Sequence, residues 1–207
     1  MKSLICSKYS AVSAGPVKIN LVPQEVPWRV PLDEDYQHAR YDTGRAAEYF
    51  AAATQAALVL AAFRAPYRGR STQVNAWWGS FDLAVALFSG LPADSPADGF
   101  IARNAADAQL IEVGWWPGDP RYPKAAFYAY AHPAPPAFGR ASLSPAGARW
   151  DEALGEYILD WDQVRAAPDP RAEALEFARS AFRHACQVCG WDAELAATVE
   201  GRPPPIS

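Results

Sequence analysis

Alternation of apolar and polar side chains with a period of two residues constrains the fold of this chain more than any other feature. The pattern runs through TQVNAWW (72–78), QLIEVGWW (109–116) and AAFYAYAH (125–132). A period of two is the spacing of a β-strand whose two faces lie in different environments. The run SFDLAVALFSG (80–90) alternates as well, after a break at Gly79. These segments predict successive strands of one sheet, and GEYILDWDQV (155–164) and a weaker run near 141–143 add to them.

A long helical segment stands on each side of these strands. The first is expected to begin at Asp42 or Thr43, either of which can cap free backbone amides, and to end before Pro66. Its predicted buried stripe consists of Ala46, Phe50, Ala53, Ala57 and Leu60.

The second helix is expected over about 170–189, because Pro170 suits a first turn and Gly190 suits a C-terminal cap. The order of helix, strands and helix indicates an α+β fold. We expect an antiparallel β-sheet of about five or six strands, a typical number, with the two long α-helices packed on one face.

The composition is that of a globular protein. The 207 residues are 50% hydrophobic and 20% charged, so the chain can bury a core without cross-links. We expect a single α+β domain over residues 17–200. A poorly ordered N-terminal segment (1–16) is expected before it, and a frayed tail (201–207) after it.

Charge and hydropathy argue against several kinds of partner. The net charge is −4 and no basic patch is visible, which argues against nucleic acid. The charge-free run Tyr49–Phe63 is shorter than the roughly 20 apolar residues that cross a bilayer, so we expect no membrane span. The N-terminal apolar stretch is only Leu4–Cys6, too short for a secretory signal. We therefore expect a cytoplasmic protein.

Four segments taken together carry a family resemblance. They are PLDEDYQHARYD (31–42), NAWWGSFDLAVALFSG (75–90), GWWPGDPRYPKAAFYAYAHPAPPAF (114–138) and LEFARSAFRHACQVCGWD (175–192). In this order they resemble a bacterial family, the domain of unknown function 5996 family, over nearly all of 17–192. The resemblance implies a fold and no reaction.

The resemblance has two further implications. The chain looks like the C-terminal portion of longer members, so an N-terminal half is either missing here or supplied by another chain. Asn75 and Val113 stand where relatives often carry histidine, which argues against a histidine-based metal site.

One cluster of possible metal ligands lies near the end of the second helix. His184, Cys186 and Cys189 form RHACQVCG, but a structural zinc needs four ligands and no second Cys/His pair exists. Redox-active pairs usually lie at a helix N-terminus, where the thiolate is stabilised, whereas these lie at a C-terminus. We expect two packed thiols, no metal and no cofactor.

A second polar cluster precedes the first helix. His38 could act as a general base if it lies in a cleft. The alternative is a solvated loop that leads into a capped helix. The other members of the cluster are Asp33, Glu34, Asp35, Arg40 and Asp42.

The two predicted sheet faces differ in character. One face is apolar and is expected to be core: Val74, Ala76, Trp78, Ile111, Val113, Trp115, Phe127, Ala129 and Ala131. The other mixes large aromatic and hydrogen-bonding side chains: Asn75, Trp77, Glu112, Trp116, Tyr128, Tyr130 and His132. A mostly apolar surface with a few polar groups is typical of a ligand site.

The predicted ligand-binding residues are therefore Trp77, Trp116, Tyr128 and Tyr130. Glu112 and His38 are the candidate catalytic groups, the latter only if the proline-rich arm folds back over this face.

Two functions stay open at this point. An uncovered aromatic face or sheet edge indicates self-association, as a homo-oligomer, or a protein partner. The alternative is a small-molecule-binding protein or enzyme that uses the aromatic face. The sequence contains no signature that separates an enzyme from a non-catalytic protein.

Overall fold

The structure, a computed structural model, describes residues 21–22, 30–37, 41–77, 79–95 and 106–200. The chain divides into two compact units, Met1–Tyr41 and Asp42–Ser207. His38 and the two predicted end segments lie outside the described residues.

In the first unit the backbone makes a short turn. The N–H of Glu34 donates to the carbonyl of Pro31 at 2.9 Å, and the N–H of Leu32 donates to the carbonyl of Leu21 at 2.8 Å. Asp33 and Glu34 are exposed in this turn, as a solvated loop requires.

The second unit begins with helix α1, Thr43–Arg64. The Asp42 carboxylate accepts a hydrogen bond from the backbone N–H of Arg45 at 3.0 Å, so Asp42 is the predicted N-cap. The predicted boundaries of this helix are confirmed.

A six-stranded antiparallel sheet follows, with the strand order β1-β2-β3-β4-β6-β5. Its strands are β1 (Asn75–Trp77), β2 (Asp82–Pro92), β3 (Ala108–Trp116), β4 (Ala126–His132), β5 (Arg149–Asp151) and β6 (Glu156–Asp160). The predicted α+β class and the antiparallel sheet are confirmed.

Helices close the described chain. A short helix α2 (Trp161–Ala166) follows β6, and the long helix α3 (Pro170–Cys189) follows it. Gly190 ends α3 in the left-handed conformation, with φ of 66°, which glycine adopts at little cost. Helix α4 (Ala193–Ala197) and a 3₁₀ turn (Thr198–Glu200) complete the unit.

The core lies between one sheet face and the two long helices. The register places one large apolar residue of each central strand in a single row: Leu83, Trp115, Phe127 and Leu159. Residues of α1 and α3 belong to the same buried cluster as this row. Both long helices therefore pack on one face, as predicted.

The predicted strand near 141–143 is wrong. The chain forms a 3₁₀ turn at Phe138–Arg140, and the additional strand is β5. The hydroxyl of Tyr157 accepts a hydrogen bond from the Ala141 N–H at 3.0 Å and lies 2.6 Å from the Phe138 carbonyl oxygen. A side chain thus supplies the partners that a neighbouring strand would otherwise supply.

The predicted buried stripe of α1 is partly wrong, because Phe50 is 66% exposed. Tyr49 takes the inward position instead. Its ring lies 6.0 Å from that of Trp115, and its hydroxyl donates to the Phe81 carbonyl at 2.8 Å. The buried residues of α1 are Ala53, Ala56, Val59, Leu60 and Phe63.

Helix α1 is long and apolar enough to cross a bilayer, by length and composition alone. In the fold its inner face, which includes Leu60 and Phe63, lies in the core cluster with the sheet.

The cysteines of α3 occupy the positions expected of packed thiols. Cys186 is 5% exposed within the core cluster, and Cys189 is half-buried beside it. Burial raises the pKa of both thiols, which disfavours the reactive thiolate.

The Tyr157 hydroxyl provides a test of the fold. We expect Tyr157→Phe to lower the free energy of unfolding by about 1–3 kcal/mol, because the partly buried Ala141 N–H loses its acceptor. Urea denaturation measures the loss. Tyr41→Phe, at a 77% exposed position, is the control and should leave the midpoint unchanged. Equal midpoints for both variants would contradict the assigned bridging role.

Candidate functional site

The sheet face opposite the helices carries the candidate site. Trp77 is paired with Asp82, Glu112 with Tyr130, and Gly114 with Tyr128. Directly opposed residues point to the same side of a sheet, so the predicted alternation is correct. We call this surface the acidic face, defined by Trp77, Asp82, Glu112, Trp116, Tyr128, Tyr130 and Glu156.

Tyr128 lies at the centre of the acidic face because Gly114 leaves room for it. A methyl group at position 114 would overlap the Tyr128 ring. The Tyr128 side chain is 6% exposed. A glycine covered by a cross-strand aromatic ring fixes the direction in which that ring points.

The Tyr128 hydroxyl links two carboxylates. It donates to Asp82 Oδ2 at 2.5 Å, and Glu112 Oε1 lies 3.4 Å away. The phenol has one proton, which either carboxylate can accept. Ser80 and Tyr130 extend this network, through hydrogen bonds to Asp82 and to Glu112 respectively.

The carboxyl group of Glu112 has a pKa close to neutral pH. Burial is the main reason that its pKa rises to about 7. Hydrogen bonds from Tyr130 and Tyr128 lower this pKa and the Asp82 charge raises it. A carboxyl group with a pKa near 7 can both give and take a proton under physiological conditions.

Glu156 adds another carboxyl group from the neighbouring strand β6. Burial, followed by the charge of Glu112, raises the pKa of Glu156 to about 7, while the Arg121 guanidinium lowers it. A nearby carboxylate disfavours the ionised form of a second one in a poorly hydrated site.

Aromatic rings surround these acids. The rings of Tyr128 and Tyr130 are stacked, with centroids 6.4 Å apart and an interplanar angle of 8°. Trp116 contacts Tyr128 at 6.1 Å and Tyr122 at 5.4 Å. Trp116, Tyr128, Ala84, Ala126 and Ile158 form a buried cluster on this face, and no helical residue belongs to it in the described chain.

The predicted site residues are brought together only in part. Trp116, Tyr128, Tyr130 and Glu112 are neighbours, whereas Trp77 is 43% exposed on the outermost strand β1. His38 lies outside the described residues, so its proposed role over this face stays a prediction.

Two acids of the site were not predicted from the sequence. Asp82 alternates in phase with the other residues of this face, and only the pairing with β3 and β4 brings it to Tyr128. Glu156 enters through the pairing of β6 with β4 and β5. The alternation of β6 was available as a signal, but the order of strands in the sheet was not.

The fold and this face define a class of protein: an α+β domain with helices on one side of an antiparallel sheet and buried acids among aromatic rings on the other. The chain belongs to DUF5996, a family of unknown function, whose profile matches residues 6–198. Comparison with curated proteins and with solved structures gives no match.

The raised pKa of Glu112 predicts a pH-dependent stability. The folded state binds this proton more tightly than the unfolded chain, so the free energy of unfolding falls as the pH rises from about 4.5 to about 7. Glu112→Gln should weaken that slope and stabilise the fold at pH 8 by about 1–3 kcal/mol, since one pKa unit corresponds to about 1.4 kcal/mol.

Urea unfolding at a series of pH values measures this slope. Glu152→Gln removes an exposed carboxylate outside the network and serves as the matched control. A slope that is the same in Glu112→Gln, Glu152→Gln and the unmodified protein would contradict the assignment.

Proposed function

We propose that the protein binds a small organic cation on the acidic face. The observation that carries this proposal is the joining of Asp82 and Glu112 through one phenol, Tyr128, within an aromatic cluster. Carboxylates that lie close together are stabilised when a positive charge enters between them.

The charges around the face support a cationic ligand. Arg121 acts on Glu156, but it is largely exposed and already forms an ion pair with Asp119 at 2.6 Å. Asp82 and Glu112 have only hydroxyl partners among the contacts described above. A ligand that carries an ammonium group would supply the missing charge.

The aromatic rings favour an organic cation over a bare metal ion. Trp116, Tyr128 and Tyr130 lie next to one another around the carboxylates, and the faces of such rings attract alkylated ammonium groups. Within the described chain, no group of three or more His, Cys, Asp or Glu side chains has the geometry to hold a metal.

The proposal extends to catalysis through one residue. Glu112 has a pKa near 7 and can accept a proton from a bound ammonium group or return it. Tyr128 and Tyr130 would orient its carboxyl group through their hydrogen bonds.

A thermal-shift screen at pH 8 tests ligand binding. We expect small alkylammonium compounds to raise Tm and their neutral alcohol analogues to leave it unchanged, since a ligand that binds only the folded state stabilises it. The shift should shrink at pH 5.5, where Glu112 and Glu156 are protonated in the folded protein.

Matched variants make this screen decisive. Glu112→Gln and Glu156→Gln should abolish the ammonium-dependent shift, and Glu152→Gln should retain it. Trp116→Phe should weaken the shift while preserving the buried cluster better than Trp116→Ala. Equal shifts for neutral and cationic compounds, or for Glu112→Gln and Glu152→Gln, would refute the proposal.

A second function, self-association, is favoured by the outer face of α1. This face points away from the sheet and contains no charged residue: Ala47, Phe50, Ala51, Thr54, Leu58 and Ala61, all exposed. A contiguous exposed apolar face often marks a site of protein–protein contact. We propose that a second copy of this chain covers it.

The sequence spacing of the residues on the outer face supports a second copy of the chain as the partner. Except for Phe50, its residues follow one another at intervals of four, three, four and three, which is the seam spacing of paired helices. Four of those five side chains are Ala or Thr, so two copies of α1 can approach closely. A two-fold axis near the central Thr54 would place the same surface on both sides.

Light scattering over a concentration series tests self-association. We expect a dimer that Thr54→Glu converts to a monomer, because two like charges would meet at the axis. Ala153→Glu adds the same charge at an exposed position outside α1 and should leave the dimer intact. A monomer at high micromolar concentration in the unmodified protein would exclude the dimer.

A further inference from the structure

A wide groove lies on the helical side of the sheet, away from the acidic face. It has a volume of about 1320 Å³ and runs between α1 and the segment that contains α2 and the start of α3. Typical ligand pockets measure roughly 300–1,000 Å³, so this groove has room for an extended ligand.

The floor of the groove is apolar and aromatic. Trp161 is its partly exposed ring, and Trp115 and Phe127 are buried below the surface. The Trp161 ring packs against Trp115 at 5.6 Å and against Phe127 at 5.9 Å. Val59 of α1 and Val164 of α2 line it as well. An alkyl chain would be the matching ligand element, because apolar burial favours binding in proportion to area.

The charged residues that line the groove are mostly basic, whereas the whole chain has an excess of acidic residues. Three arginines, Arg45, Arg165 and Arg171, line the groove with a single carboxylate, Glu48. The groove therefore carries an excess of positive charge although the chain has a net charge of −4.

Two of these arginines have exposed acidic partners outside the lining. Arg45 lies 3.7 Å from Asp42, and Arg165 lies 3.5 Å from Asp162. Neither aspartate lines the groove. Exposed ion pairs of this kind are weak, so both guanidinium groups can turn to a ligand. Arg171 has no ion-pair partner within the described residues.

We propose that this groove binds a free amphiphilic carboxylate, a long-chain fatty acid, with the alkyl chain on the aromatic floor and the carboxylate at the arginines. This site is separate from the acidic face and would select the opposite ligand charge. Ala51 and Leu58 line the groove and also belong to the outer face of α1, so a dimer through that face would compete with the ligand.

Isothermal titration of the full chain with dodecanoate, below its micelle concentration, tests the proposal. We expect saturable binding of one molecule per chain and quenching or enhancement of tryptophan fluorescence from Trp115 and Trp161. Dodecyltrimethylammonium has the same alkyl chain and the opposite charge. Titrated into Glu112→Gln, in which the acidic face no longer takes an ammonium group, it should bind at least about tenfold more weakly than dodecanoate, which corresponds to 1.4 kcal/mol.

Charge variants assign the site. Arg171→Glu should weaken dodecanoate binding at least about fivefold, and Glu48→Gln should strengthen it. Arg68→Glu makes the same charge change at an exposed position outside the groove and should have no effect.

Three results would overturn the proposal: no saturable binding, equal affinity for the cationic and anionic chains, or equal effects of Arg171→Glu and Arg68→Glu. Failure here leaves the acidic face untouched, since the ammonium screen has separate variants.

Discussion

The antiparallel register of β2, β3, β4 and β6 is the constraint on which the rest of the structure depends. It aligns Leu83, Trp115, Phe127 and Leu159 on one side, where the two long helices bury them. The same register fixes Gly114 against Tyr128 on the other side. A slip of one residue would exchange the two faces along a whole strand, so the core and the candidate site are specified together.

The two sides of the sheet are stabilised by different interactions. The helical side is held by apolar burial. The acidic face instead keeps Asp82, Glu112 and Glu156 close together, which costs stability above neutral pH because the pKa values of the two glutamates are raised. Three carboxyl groups placed this close together do not contribute to the stability of the fold above neutral pH. This cost agrees with the proposal that a cationic ligand binds the acidic face.

The alternation and spacing of residues along the sequence predicted much of the fold. The features that were not predicted depend on contacts between residues that are distant in the sequence. The period of two separated the sheet faces correctly, because apolar side chains within each strand alternate with the side chains of the other face. Phe50 and Tyr49 are adjacent aromatic residues, and only the hydroxyl contact with Phe81 shows which one turns inward. The segment near Ala141 resembled a strand, but Tyr157 bonds its backbone from a distance. The convergence of Glu156 with Glu112 needed the strand order, which no local spacing encodes.

The outermost strands β1 and β5 contain three residues each, which has a consequence for aggregation. Edge strands this short offer few free backbone groups to a strand of another molecule, which disfavours growth of the sheet into fibrils at either edge. Behind β1 lies β2, an apolar strand of 11 residues. Its outer side is covered by β1 and by the backbone bonds of Thr72 with Ala86 and Phe88 with Arg70. Cleavage or unfolding of β1 and of the segment around Thr72 would expose the apolar part of β2, and exposed apolar strands can template amyloid-like stacking.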